Sequence, residues 1–221
     1  MVFFLFIKSV FNVSLKLNVA RCHEVLFFKM QSVKIKIVVI GSSAVGKTSL
    51  LNACVRNVKS EYKPFDNVST MNVLMNDGDI EYNMELWDTK SVDYYKIIEE
   101  MQNDSFSIAL ICYSVMDLKS FQDVKKRWIP ILRKNSPRTH LMIIGTKIDL
   151  RNDKVSLLRL DRIQNQKPIS VEDGYLYSRN ENSIFHECSA VDEIGIDDLF
   201  QKIIQIYKNP PEPKKCSCSV S

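Results

Sequence analysis

The residues from Gly41 to Ser49 read G-S-S-A-V-G-K-T-S and fit the pattern G-x-x-x-x-G-K-[ST] of a phosphate-binding loop. Directly before this loop, residues 33–40 are rich in β-branched and apolar side chains, which predicts a strand buried on both faces. Directly after it, residues 49–55 carry apolar side chains at helical spacing. Because a loop between strand and helix presents backbone N–H groups and a positive helix end to an anion, this stretch predicts that the chain binds a nucleoside triphosphate.

Each residue type in this loop has a physical reason. Gly41 and Gly46 permit backbone turns that a Cβ would block. We expect Lys47 to reach the β- and γ-phosphates and the Thr48 hydroxyl to ligate Mg²⁺. An ordinary glycine-containing strand–helix turn is the alternative, and the Lys-Thr pair after the second glycine disfavours it. The nucleotide-binding residues predicted here are Gly41, Ser43, Ala44, Val45, Gly46, Lys47, Thr48 and Ser49.

The composition is that of one globular domain with appendages. The chain has 221 residues, of which 45% are apolar and 25% charged, and this length is sufficient for a sizeable core. A net charge of +4 is modest and argues against dedicated nucleic-acid binding. The six cysteines have the spacing of neither a zinc site nor a secreted disulfide framework, which favours a reducing cytoplasmic compartment.

Predicted strands and helices alternate along the chain, which indicates a mainly parallel sheet with helices on both faces. Residues 76–79 read Asn-Asp-Gly-Asp and predict a hairpin turn between two antiparallel strands. The predicted strands are 33–40, 68–75, 80–87, 106–113, 141–145 and 184–188, and the predicted helices are 49–55, 118–134, 155–164, 171–179 and 196–208. The sequence therefore predicts an α/β fold with a six-stranded, mainly parallel sheet and one antiparallel edge strand.

The two ends of the chain fall outside this pattern. The apolar run at residues 2–7 is too short for a bilayer-spanning helix, which needs ~20 residues, and it lacks the charge order of a signal peptide. We expect translation to begin at Met30, so that residues 1–29 are absent from the native product; a membrane-leaning extension is the alternative. Residues 30–208 are then the predicted domain and residues 209–221 a Pro-rich flexible tail.

The choice of nucleotide comes from residues that follow the predicted strand at 141–145. Thr146-Lys147-Ile148-Asp149 places a carboxylate where it can accept hydrogen bonds from N1–H and the N2 amine of guanine. Adenine has neither donor, so the carboxylate would be left unpaired. Beside it, Glu187-Cys188-Ser189-Ala190 follows the last strand and can supply a backbone N–H to guanine O6. These two segments predict guanine specificity.

Together with Trp87-Asp88-Thr89, Ser120-Phe121 and residues 145–151 (G-T-K-I-D-L-R), these motifs resemble small GTPases, and among them the Rho family. The resemblance implies a P-loop NTPase G domain, with an extra helical insert near residues 152–168. It implies that Asp88 and Thr48 serve Mg²⁺, and that Thr146, Lys147, Asp149, Leu150, Ser189 and Ala190 bind the nucleotide. It also implies a monomer with downstream effectors and exchange factors, acting on the actin cytoskeleton.

The last four residues, Cys218-Ser219-Val220-Ser221, form a C-a-a-X sequence whose final Ser favours farnesylation. Cys216 is a candidate for palmitoylation, and Lys214 and Lys215 add weak attraction to an anionic leaflet. One lipid binds reversibly, so a second signal matters. We therefore expect attachment to the cytoplasmic face of a membrane.

The chain departs from the family around the γ-phosphate. Ser43 and Ser91 stand where the family has glycines, and Val92 stands where it has the Gln that orients the attacking water, so no catalytic residue is assigned. In the first switch, Phe65 follows Pro64 where the family has a Mg²⁺-binding Thr. Asp66, Ser69 and Thr70 are the candidate replacements, and the sequence does not choose among them.

These departures predict a GTP-binding switch with weak intrinsic hydrolysis. An ordinary cycling GTPase, helped by a partner, is one alternative. A nucleotide-binding interaction module that never switches is the other, and the altered first switch favours it.

Overall fold

The structure is a computed structural model that describes residues 31–57, 60–65, 68–89 and 106–211. Its strands are β1 (Gln31–Gly41), β2 (Ser60–Phe65), β3 (Val68–Asp77), β4 (Ile80–Thr89), β5 (Ile108–Ser114), β6 (His140–Thr146) and β7 (Ile184–Glu187). Its helices are α1 (Lys47–Asn57), α2 (Leu118–Asp123), α3 (Ile129–Asn135), α4 (Lys154–Gln164), α5 (Val171–Asn180) and α6 (Ile196–Lys208). Each predicted strand and helix overlaps at least one of these elements. A π-helical segment (Val124–Trp128) separates α2 from α3, within the helix predicted at 118–134.

The strands form one sheet in the order β2-β3-β4-β1-β5-β6-β7. Parallel pairing joins β1, β5, β6 and β7, and antiparallel pairing joins β2, β3 and β4. The predicted α/β P-loop fold class is confirmed. The sheet has seven strands rather than six because β2 adds a second antiparallel strand at the edge. Its Pro64 lacks an N–H, which obscures the strand pattern in the sequence and is tolerated at a sheet edge.

Side chains of β1 alternate between two buried clusters, one on each face of the sheet. Ile37 and Val39 belong to a cluster that includes Phe200 of α6, whereas Val38 and Ile40 belong to a cluster that includes Leu132 of α3. This alternation follows from the two-residue period of a strand. Helices therefore cover both faces of the sheet, as predicted.

The parallel strands end level with one another, and this positions the site. Gly41 at the end of β1 lies opposite Cys112 of β5, and Thr146 at the end of β6 lies opposite Ser114. Gly145 of β6 lies opposite Glu187, which ends β7. The loops that follow β1, β6 and β7 consequently meet at the carboxyl ends of the parallel strands, where open α/β sheets bind ligands.

Several predictions concern residues outside the described ranges: the extension at 1–29, Ser91, Val92, Asp66, Cys216 and Cys218. The proposed domain boundaries also stay predictions. Among the described residues, no helix is both long enough and apolar enough to span a bilayer.

Candidate functional site

The loop between β1 and α1 has the backbone that its glycines predict. Gly41 has φ +149°, and a Cβ placed on it would lie 2.3 Å from the carbonyl oxygen of Cys112. Gly46 has φ +101°, and Ala44 is also left-handed, with φ +59°. Glycine tolerates the values at Gly41 and Gly46 at low cost, so the loop can wrap tightly at the start of α1. Beside it lies a cavity of about 330 Å³, lined by Ser43, Ala44, Gly46, Lys47, Thr48, Ser49, Thr89 and Lys147.

Lys47 is folded across its own loop. Its Nζ donates hydrogen bonds to the carbonyl oxygens of Gly41 (2.9 Å) and Ser42 (2.8 Å). Burial lowers the pKa of Lys47, and the nearby Cys112 and Asp88 partly offset this shift. Lys47 lines the cavity, so anionic phosphate oxygens placed there would be attracted by a largely buried cation, whose charge is weakly screened.

A hydroxyl and a carboxylate meet at the start of α1. Thr48 Oγ1 donates a 2.8 Å hydrogen bond to Oδ2 of Asp88, at the end of β4. Asp88 is 3% exposed, and its other oxygen, Oδ1, is buried without a hydrogen-bond partner among the described residues. A buried carboxylate oxygen without a donor is costly. A hard divalent cation satisfies such an oxygen, so this donor set fits the predicted Mg²⁺.

The loop after β6 is hydrogen-bonded to the phosphate loop. Lys147 adopts φ +62°, and its Nζ donates to the carbonyl oxygen of Ala44 at 2.6 Å. Thr146 Oγ1 lies 2.5 Å from the carbonyl oxygen of Val45 and 2.8 Å from that of Tyr113, within reach of both acceptors. Two loops far apart in sequence are thereby held as one unit.

A second cavity of about 200 Å³ lies beside the first, lined by Gly46, Ser49, Leu50, Thr146, Lys147, Asp149, Leu150, Cys188, Ala190 and Val191. Gly46, Ser49 and Lys147 line both cavities, so the two form one elongated cleft. Polar and apolar atoms line the phosphate-loop end in similar measure, whereas the other end, with Leu150 and Val191, is mostly apolar. The shape fits a phosphate group at one end and a planar base at the other.

Ser189 holds Asp149 in place at the apolar end. Its Oγ donates a 2.7 Å hydrogen bond to Asp149 Oδ1 and accepts one from the backbone N–H of Asp192. Ser189 is fully buried, and its backbone N–H is bonded to Ile194. The carboxylate is therefore fixed by β7 and its following loop, although Asp149 lies in the 3₁₀ turn after β6.

Eleven of the predicted nucleotide-binding residues line the cleft: Ser43, Ala44, Gly46, Lys47, Thr48, Ser49, Thr146, Lys147, Asp149, Leu150 and Ala190. The other four predicted residues do not line the cleft: Gly41, Val45, Asp88 and Ser189. Their roles toward a nucleotide stay predictions.

Four residues that line the cleft were missed as site residues: Leu50, Thr89, Cys188 and Val191. Thr89 donates from Oγ1 to the carbonyl oxygen of Val39 at 2.6 Å, so its backbone is fixed beside the phosphate loop. Its place directly after Asp88 was the available signal. Val191 is exposed in a turn, where no sequence pattern singles it out.

The fold and the cleft define a P-loop protein that binds a nucleoside triphosphate. The sequence model of the Ras family matches residues 36–209, which is most of the chain. The chain belongs to the Ras family and is a small GTP-binding protein.

Proposed function

We propose that this protein is a Rho-like, membrane-attached switch that binds GTP and hydrolyses it slowly. The observation that carries the guanine specificity is the hydrogen bond between Ser189 and Asp149 at the wall of the cleft. It orients a carboxylate whose oxygens suit the N1–H and N2 amine of guanine. The opposite end of the same cleft holds Lys47 and Thr48 for the phosphates.

Thr48 and Asp88 would hold Mg²⁺, which neutralises charge on the bound phosphates when present. The buried, unpartnered Oδ1 of Asp88 supports this assignment. Lys47 supplies a further cation from the protein itself, close to the same phosphates.

Slow hydrolysis is supported by Ser43, which is exposed and lines the phosphate end of the cleft. Its Cβ and hydroxyl stand where the family has only a hydrogen atom, so they crowd the space beside the γ-phosphate. Val92, outside the described residues, has no polar atom with which to orient water. The protein is therefore expected to stay GTP-bound, under the control of expression or membrane attachment.

Rho-like character and attachment are supported by the sequence. α4 (Lys154–Gln164) is a helix within the segment 152–168, where Rho proteins carry an insert. Cys218 begins the C-a-a-X tetrapeptide, and Cys216 is the candidate for a second lipid, by palmitoylation. Signalling to the actin cytoskeleton through effectors follows from the Rho resemblance.

The test is to purify the full chain without added nucleotide and to identify what remains bound by chromatography. Its conversion with Mg²⁺ is then followed over hours in a single turnover. We expect GTP that persists, and faster hydrolysis, by roughly tenfold or more, in Ser43→Gly/Val92→Gln. Bound GDP with rapid turnover of added GTP would instead favour an ordinary cycling GTPase. An empty or adenine-bound protein would overturn the guanine assignment, and equal structure and affinity with GDP and GTP would favour a module that does not switch.

A further inference from the structure

Two neighbouring cavities lie at the amino-terminal ends of β5 and β6, at the edge of the sheet opposite the nucleotide cleft. They have volumes of about 240 Å³ and 220 Å³ and share Arg138 and His140 in their walls. His140 begins β6 and Thr146 ends it. At about 3.3 Å per strand residue, the cavities are roughly 20 Å from the guanine end of the cleft. They are therefore a separate site.

The walls of these cavities are basic. Arg133 joins Arg138 and His140 around the larger one, and both arginines are exposed. No Asp or Glu among the described residues lines either cavity. Among the described residues, the hydrogen bond that Arg133 donates is a long one, 3.4 Å, to the backbone oxygen of Glu181. Two guanidinium groups around a concave surface without a carboxylate match a phosphate group, which accepts paired N–H donors.

His140 adds a polar group but little charge at neutral pH. Burial, and then the positive charge of Arg133, lower the pKa of its imidazole. The positive charge of the larger cavity therefore comes from the two arginines. An anion bound between them would also favour protonation of His140, which gives the site a measurable signature.

The last described residue of the chain, Pro211, lies at this site. Pro211 lines the larger cavity, and residues 212–221 continue from it with Lys214, Lys215 and Cys218. Cys218 is the seventh residue after Pro211, so its reach from Pro211 is at most about 25 Å. A lipid on Cys218 would thus keep this edge of the sheet close to the membrane surface. The opposite edge, with the nucleotide, would face away.

We propose that the basic cleft formed by Arg133, Arg138 and His140 binds the headgroups of anionic phospholipids. The cleft adds a second contact to the lipidated tail and orients the domain on the leaflet. This inference rests on the proposed membrane attachment.

The test uses the full chain without lipidation, sedimented with vesicles of phosphatidylcholine alone or with about one fifth phosphatidylserine. We expect Arg133→Gln/Arg138→Gln to lower binding to the anionic vesicles roughly tenfold. The matched control is Arg159→Gln/Arg162→Gln, which removes the same charge from exposed positions of α4. An equal loss in both variants, or a loss in neither, would overturn the proposal. Unchanged melting temperature and nucleotide content in both variants exclude misfolding as the cause.

A second measurement follows the NMR titration of His140. Dispersed short-chain phosphatidylserine should raise its pKa in the unmodified chain and leave it unchanged in Arg133→Gln/Arg138→Gln. If inorganic phosphate raises the pKa of His140 and the phospholipid does not, the cleft is a site for a soluble anion and the proposal is wrong. Attachment through Cys218 is scored separately, by the location of Cys218→Ser in cells. Because the vesicle assay uses the unlipidated chain, either idea can fail alone.

Discussion

Ser189 Oγ lies 2.7 Å from Asp149 Oδ1 and is itself fully buried. The hydrogen bond joins the turn after β6 to the loop after β7, and it orients the carboxylate predicted to read guanine. Charge-assisted bonds of this kind contribute more than neutral ones. The predicted contact to guanine thus depends on a side chain that does not line the cleft.

We predict that Ser189→Ala weakens GDP binding about tenfold, because the carboxylate loses the donor that holds it. The measurement is nucleotide affinity from displacement of a fluorescent GDP analogue. Ser156→Ala is the control, since the Ser156 side chain lies on α4, away from the cleft. Affinity unchanged in Ser189→Ala would show that the turn alone positions Asp149.

Removing the predicted Mg²⁺ ligand Thr48 should make nucleotide retention insensitive to Mg²⁺. In Thr48→Ala the hydroxyl is lost and Asp88 loses its 2.8 Å partner. We expect GDP to dissociate about tenfold or more faster in millimolar Mg²⁺, and chelator to add little further. Thr48→Ser keeps the hydroxyl and serves as the control. If Thr48→Ala responds to chelator as the unmodified protein does, Thr48 is not a ligand.

Most of the phosphate end of the cleft could be predicted from sequence because its residues, apart from Thr89 and Lys147, are local. The segment from Gly41 to Ser49 contains the two turn glycines, the Lys47 cation and the start of α1, and in the structure all of them lie at the junction of β1 and α1. Asp88 and Asp149 could be predicted because Asp88 lies at the end of β4 and Asp149 lies in the turn after β6, and both strands end beside the phosphate loop.

What the sequence did not indicate depends on contacts between distant segments. Lys147 bonds to Ala44 across the cleft, and Asp123 at the end of α2 accepts a 2.7 Å hydrogen bond from Ser42. Neither pairing has a pattern in the local sequence. β2 was missed for a related reason, since edge pairing with β3 overrides the weak strand propensity around Pro64.

The stability of the protein should fall on mild acidification because of His186. Its Nδ1 faces Lys202 Nζ at 3.1 Å, and Lys can only donate, so the ring is neutral with Nε2–H bonded to the carbonyl oxygen of Gly195 at 2.6 Å. Burial first, and Lys202 after it, lower the pKa of His186, while the Gly195 bond, Asp198 and Glu187 oppose the shift.

The sign follows from proton counts. Below the ordinary pKa of 6.5 the unfolded chain binds a proton at His186 that the folded chain does not, so the free energy of unfolding decreases as pH falls. The slope from one group is at most about 1.4 kcal/mol per pH unit. Urea unfolding at pH 7.5 and 5.5 should show a smaller pH dependence in His186→Gln. The slope that remains includes His140, whose pKa is also lowered. An unchanged slope in His186→Gln would mean that protonation of the His186 ring does not lower the free energy of unfolding.

Arg151 and Glu187 form an ion pair beside the apolar end of the cleft, which their chain neighbours Leu150 and Cys188 line. The guanidinium contacts both carboxylate oxygens, at 2.8 Å and 2.5 Å, and also bonds to the carbonyl oxygen of Ile169. The side chains are only 21% and 12% exposed, so each ion depends on the other for compensation. Breaking such a pair from one side leaves an uncompensated, poorly hydrated charge.

We therefore expect Arg151→Met to lower the free energy of unfolding by about 3 kcal/mol, measured by urea denaturation at pH 7. Arg151→Met/Glu187→Gln should recover part of that loss, because the carboxylate that lacks a partner is also removed. Lys34→Met is the matched control, since its ion pair with Glu85 involves an ammonium that is 59% exposed, and it should cost less than about 1 kcal/mol. If the double variant is less stable than Arg151→Met alone, packing of the two stems, rather than their charges, holds the turn that carries Asp149 against β7.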